Sequence, residues 1–322
     1  MAARAFSLTL DDESRTPLVE FPPPDLVEII EELTPEKMAS LIDVTDLKAD
    51  TQEPKVRKMV NWALDYGFRA ICVNPVEVDL LPRLLKDSPV KECYVLDFPL
   101  GKSSIQSKRR QAAEIVETSR DLRGQGPGKV ELDMVINVGR FKRDRNYTLE
   151  EVKAVVQAAE GELVKVIIRS GELTEEEIIE ACRVVKEAGA HFVKNSTGMD
   201  ALGATPEHIW LMREAVGPGM GVKAAGGISD AMTVVRLMYA GAKEPDLRDP
   251  LRFRIGTSGP LNILATMNWI RVSPQAWAEA KVIPCTICPH GQTAKQRREV
   301  REIYMKRCRL CPYRRYRKDK DF

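Results

Sequence analysis

From Leu41 onward the chain alternates short apolar runs with amphipathic segments of 10–16 residues. The apolar runs are too short for buried helices and are bounded by polar or glycine-rich turns, so they read as strands. They are "SLIDVTD" (40–46), "RAICVNP" (69–75), "KECYVLDF" (91–98), "KVELDMVIN" (129–137), "LVKVIIRS" (163–170), "HFVKNST" (191–197), "GVKAAGG" (221–227) and "RFRIGTSG" (252–259). Between them "QEPKVRKMVNWALDYG", "SKRRQAAEIVETSRDL", "TEEEIIEACRVVKEAG" and "SDAMTVVRLMYAGA" place apolar residues three and four apart, the helical spacing. Several of these segments end in glycine, as a helix C-terminus favours.

Eight strand–helix units in succession predict an α/β fold, a closed (β/α)8 or TIM barrel, for which about 250 residues is usual. A doubly wound open sheet is the rival, but it ordinarily carries a glycine-rich turn after its first strand, and none follows "SLIDVTD". Residues 1–36 read as an arm with a covering helix: "FPPP" excludes regular helix before "LVEIIEEL". The barrel is expected over 37–275 and a separate module over 276–322.

The division at the C-terminus rests on charge and cysteine. The 322 residues carry a net charge of +2, yet residues 281–322 hold 13 Lys/Arg against 4 Asp/Glu, leaving 36 against 43 in the rest. The body is acidic and the tail strongly basic. Cys285, Cys288, Cys308 and Cys311 form C-x2-C-x19-C-x2-C, the spacing of a four-cysteine structural zinc site. An iron–sulfur cluster or redox pairs are the other readings, and His290 beside Cys288 is a further donor. With Tyr304, Tyr313 and Tyr316 among arginines, the tail also has the makings of a nucleic-acid surface, though a solvated basic face or a patch docking on the acidic barrel is the simpler reading. No run approaches the roughly 18 apolar residues of a membrane span and the N-terminus lacks a signal-peptide core, so a cytoplasmic protein is expected.

Polar residues inside the strands locate the chemistry, because barrel active sites form at the C-terminal strand ends. Asp133 stands in the fourth strand, Lys165 and Arg169 in the fifth, Lys194 in the sixth and Lys223 in the seventh. A lysine near a strand end more often snorkels to solvent. An aspartate in an apolar strand is costly unless paired. Together, two lysines and an aspartate on neighbouring strands suit imine catalysis. A nucleophilic lysine must be neutral, and both burial and a second ammonium favour the neutral amine. Lys194 is the nucleophile on this reading, Lys223 the second ammonium and Asp133 the proton-moving group. The turns after strands seven and eight supply Gly226, Gly227, Gly256 and Ser258 at the place where barrels commonly bind phosphate.

The segments "LIDVTDLKADT", "AICVNP", "FPLGKSS", "ELDMVIN", "VKVIIRSGELT", "FVKNSTG", "GVKAAGGI" and "RIGTSG" resemble, in order and spacing, those of the deoxyribose-phosphate aldolases. The resemblance runs from about Leu41 to Gly259. It implies a class I lyase that cleaves 2-deoxyribose 5-phosphate reversibly to acetaldehyde and glyceraldehyde 3-phosphate, with no cofactor for catalysis. It further implies Lys194 as Schiff-base lysine, Asp133 and Lys223 as proton relay, phosphate contacts at Gly226, Gly227, Gly256 and Ser258, and Thr45, Cys72 and Thr197 as pocket residues. A phosphorylated small-sugar substrate and a homo-oligomer are the expected partners. Four segments depart from the family pattern: Val44 replaces the histidine of "IDHT", Arg169-Ser170 replaces "ET" in "IIET", Met199 follows "STG" where a lysine or aromatic is common, and Gly259 replaces a second serine. They keep open a related Schiff-base aldolase with another aldehyde or sugar. A nucleic-acid-binding or regulatory protein with a vestigial barrel is the alternative of another class; it predicts decay of the catalytic set, whereas Asp133, Lys194 and Lys223 are all present.

Overall fold

A computed structural model of the chain describes residues 26–124, 126–271 and 274. Two short helices, α1 (Val27–Glu32) and α2 (Pro35–Ser40), precede a regular alternation. It runs β1 (Ile42–Thr45), α3 (Glu53–Tyr66), β2 (Ala70–Val73), α4 (Leu81–Leu85), β3 (Lys91–Leu96), α5 (Ile105–Arg123), β4 (Val130–Val135) and α6 (Val138–Phe141). It continues with α7 (Arg145–Ala158), β5 (Leu163–Ile167), α8 (Glu175–Glu187), β6 (Phe192–Lys194), α9 (Pro206–Val216), β7 (Gly221–Ala225), α10 (Ala231–Gly241), β8 (Phe253–Thr257) and α11 (Pro260–Ile270). The strands pair in parallel, in sequence order, and β1 closes on β8, so the sheet is a barrel. The open-sheet alternative is excluded.

Local sequence fixes the boundaries. Thr174 and Glu177 form a capping box at the start of α8, and Ser104, Thr205 and Asp230 cap α5, α9 and α10 by accepting backbone N–H bonds. Gly67 and Gly124 close α3 and α5 in the left-handed conformation, which a glycine adopts without a Cβ penalty.

Strand alternation separates two interiors. Val44, Leu132, Val166, Val193, Val222 and Ile255 point outward into the main apolar core between sheet and helices. The residues between them point into the lumen, where among the described residues a small apolar cluster forms: Ala70, Cys72, Cys93 and Val95. Asp43, Glu131, Asp133, Lys165, Lys194, Lys223 and Arg254 share that lumen and are at most 2% exposed. A barrel of this size is ordinarily filled with branched apolar side chains. Here part of the filling is ionic. Among the described residues no helix is long and apolar enough to cross a membrane.

Candidate active site

Asp133 of β4 is the centre of the lumen. Its Oδ2 accepts from Lys194 Nζ and from Lys223 Nζ, each at 2.8 Å, and its Oδ1 accepts from Lys165 Nζ at 2.8 Å and from the Cys93 thiol at 3.2 Å. One carboxylate on β4 therefore gathers lysines from β5, β6 and β7. The strand registers make this convergence natural: Asp133 lies beside Lys165, and Lys194 beside Lys223.

Below that level the ion pairs continue. Lys223 reaches Asp43 at 2.6 Å, Lys165 reaches Glu131 at 2.8 Å, and Arg254 bridges Asp43 at 2.6 Å and Glu131 at 2.9 Å. The Arg254 guanidinium also lies over the Phe192 ring, 5.6 Å from its centre. Seven charged groups make one network of four bases and three acids. Burial alone would raise the Asp133 carboxyl, but the ammoniums of Lys165, Lys194 and Lys223 outweigh it and hold it well below the usual carboxylate range. Asp43 is lowered in the same way by Lys223, Arg254 and Lys165 against its own desolvation. Burial works against the charge on Lys223, yet Asp133 and Asp43 raise it well above an ordinary lysine.

Above the network opens a cavity of about 530 Å³, lined by residues of the loops after β1, β6, β7 and β8. Lys194 is the member of the charged network on its wall. Of the other sequence-predicted residues, Thr45, Thr197, Gly226, Gly227, Gly256 and Ser258 all line it. Cys72 does not. It is fully buried beside Cys93, because the tilt of barrel strands sets residues in register, such as Thr45 and Cys72, at different depths. Asp133 and Lys223 also lie beneath the wall, behind Lys194. The immediate surroundings of Lys194 are thus polar, with a carboxylate and the Lys223 ammonium beside it.

The glycine loops have a steric reason. Gly226 and Gly227 hold φ of +93° and +76°, and a Cβ at Gly226 would stand 2.8 Å from Gly203 Cα. The backbone after β6 and the backbone after β7 can approach only without side chains there. Thr257 stitches the loops after β7 and β8 together, donating to the Ile228 carbonyl at 2.6 Å and accepting from Gly259 N–H at 3.0 Å.

Thr197 is held from behind. Asp200 Oδ2 accepts from the Thr197 hydroxyl and backbone N–H and from the Ser196 hydroxyl, all at 2.9 Å, while Asp200 Oδ1 takes the Arg169 guanidinium at 2.8 and 2.7 Å. Arg169, one of the departures from the family pattern, is not on the cavity wall.

Sequence reasoning noted Lys165 without giving it a role, and missed Asp43, Glu131, Cys93 and Arg254. Glu131 carried a signal: it is two residues from Asp133 and must share its face. The four tail cysteines lie outside the described residues. Two buried groups with metal-ligand chemistry do occur among the described residues, Cys72/Cys93/Asp133 and Asp43/Cys93/Glu131. Both have lysine ammoniums already seated on their carboxylates, which occupy the oxygens a cation would need.

The family model described as DeoC/LacD family aldolase matches residues 37–256. A deoxyribose-phosphate aldolase of Clostridium perfringens is 45% identical over 206 residues, covering 62% of this chain and 88% of that one. One from Natranaerobius thermophilus is 40% identical over 238 residues, covering 73% of this chain and 100% of that one. Among solved structures, the deoxyribose phosphate aldolase of Aeropyrum pernix, described as a unique tetramer, superposes with a TM-score of 0.66 at 31% identity over 77% of this chain and 99% of that one. The barrel, its lumen and these relatives agree: the chain belongs to the DeoC/LacD family of aldolases.

Proposed function

We propose that the chain is a class I aldolase that cleaves 2-deoxyribose 5-phosphate reversibly to acetaldehyde and glyceraldehyde 3-phosphate through a Schiff base on Lys194. The observation that carries this reading is the placement of Lys194: on the cavity wall, 2.8 Å from Asp133, with Lys223 on the same carboxylate oxygen. Among the described residues the lumen network has four bases against three acids, and of those bases Lys194 is the one on the cavity wall, where a substrate carbonyl can meet it.

In the cleavage direction the Lys194 amine adds to the C1 aldehyde of the open-chain sugar, and loss of water gives an iminium. The C3 hydroxyl gives up its proton as the C2–C3 bond breaks; the bonding electrons move into the iminium, leaving glyceraldehyde 3-phosphate and an enamine on Lys194. Protonation of the enamine carbon and hydrolysis release acetaldehyde and restore the amine. Asp133, held ionised behind Lys194, stabilises the iminium cation and with Lys223 passes protons to and from the reacting carbon and oxygen, through water where the direct path is too long. The glycine loops after β7 and β8 hold the phosphate. Release of acetaldehyde from 2-deoxyribose 5-phosphate, read through a coupled alcohol dehydrogenase, tests the assignment; turnover confined to a different aldehyde or sugar would replace the substrate and leave the imine chemistry.

The tail is read separately, from sequence. Cys285, Cys288, Cys308 and Cys311 bind a structural zinc ion on this reading, and metal analysis of the purified chain tests it, near-stoichiometric zinc being expected and its absence removing the site. A homo-oligomer in the cytoplasm completes the reading; the tetrameric description of the Aeropyrum pernix relative supports the first part, and light scattering checks it.

A further inference from the structure

We propose that Lys48, on the loop after β1, is the cation that recognises the phosphomonoester end of the substrate, a role for which position 199 offers no charge. The inference rests on the reading above that the substrate is a phosphorylated open-chain sugar.

A phosphomonoester carries close to two negative charges at pH 7, and binding it with neutral N–H donors alone leaves that charge unmatched. The side chains on the cavity wall include two cations, Lys194 and Lys48. Lys194 is bonded to Asp133 and belongs to the carbonyl end. Met199, after "STG", is on the wall but uncharged. Arg169 is the other basic residue near this loop, and its guanidinium is committed to Asp200. Lys48 remains.

Its position suits the role. Val44 of β1 is in register with Thr257 of β8, so the loop carrying Lys48 emerges beside the Thr257–Gly259 turn. The backbone there is fixed. Lys48 N–H donates to Asp46 Oδ1 at 3.3 Å, the Thr51 hydroxyl donates to the same oxygen at 2.6 Å, and Thr51 N–H returns to the Lys48 carbonyl at 3.3 Å. Asp46, the acid on the wall, is thus occupied by its own loop and has Lys55 3.9 Å from its other oxygen. The Lys48 side chain is exposed and forms no ion pair among the described residues. An ammonium on an ordered turn, on the wall of a cavity that the glycine loops after β7 and β8 also line, completes an anion site that those loops leave one charge short.

Calorimetric titration with glycerol 3-phosphate, with glycerol as the uncharged control, reads the site without turnover. Wild-type chain is expected to bind the phosphoester and not glycerol, more weakly as salt is raised. Lys48→Ala should weaken binding about tenfold and lose most of the salt dependence, and Lys48→Arg should restore most of the affinity. An unchanged melting temperature shows that Lys48→Ala is folded. If Lys48→Ala binds glycerol 3-phosphate as tightly as wild type, the proposal is wrong. Failure of the aldolase reading appears elsewhere, as absence of a borohydride-trapped acetaldehyde adduct on wild-type Lys194, and is not confused with this result.

Discussion

Lys194 and Lys223 donate to the same oxygen, Asp133 Oδ2, each at 2.8 Å. Two ammonium groups so placed depend on one carboxylate, and a third, on Lys165, depends on its other oxygen. Removing the acid therefore leaves three buried bases without their common partner.

Asp133→Asn keeps the shape and removes the charge. Loss of one partner from a buried ion pair costs roughly 3–5 kcal/mol, so a clear fall in melting temperature is expected, together with at least a hundredfold loss of kcat. A variant with wild-type melting temperature would show that the lysines do not need this anion.

Lys165 is fully buried, absent from the cavity wall and paired with both Asp133 and Glu131, a position that suits support of the network. Lys165→Met should lower kcat about tenfold or more while a borohydride-trapped adduct still forms on Lys194. Complete loss of the adduct in a folded variant would instead place Lys165 in the nucleophilic step.

The pKa directions set the pH range of stability. Asp133 and Asp43 are depressed in the fold, so their contribution is present above the unfolded carboxylate value of about 3.9 and is lost only as pH falls below it, through the folded values. Lys223 is raised, so its contribution is full below the unfolded lysine value of about 10.4 and is lost as pH rises beyond it. For these groups, stability should be flat between about pH 4 and 10 and fall on both sides. Urea denaturation across that range measures it; a slope near pH 6 removed by Asp133→Asn would contradict the assignment.

Arg169 is bonded to Asp200, which in turn holds Thr197, and is itself absent from the cavity wall. Arg169→Ala should raise KM severalfold with kcat nearly kept, and Arg169→Glu, which sets a second carboxylate against Asp200, should raise it further. Equal effects of the two substitutions would show that a second carboxylate beside Asp200 adds nothing to loss of the guanidinium.

The eight strands were legible because each is a short apolar run, and the barrel followed from their number. Asp133, Lys194 and Lys223 stood out as charges in segments that otherwise read as buried. Asp43 and Arg254 did not, because they meet only through closure of β1 on β8, and Arg254 reaches Glu131 across the lumen. Strand tilt buries Cys72 below the wall that Thr45 reaches. Arg169 stood out only as a departure from the family pattern; nothing local in the sequence says that Asp200, thirty-one residues on, takes it. Lys48 went unremarked, since one lysine on a polar loop carries no signal until the loop is placed over the cavity.

The central claim is that Lys194, alone among the lysines of the lumen, forms the imine. Borohydride reduction in the presence of acetaldehyde, followed by peptide mass mapping, tests it most directly. The account predicts a single N-ethyl adduct, on Lys194, with Lys165 and Lys223 unmodified because both are fully buried behind it. An adduct on either of those lysines, or none on a folded chain, would contradict it.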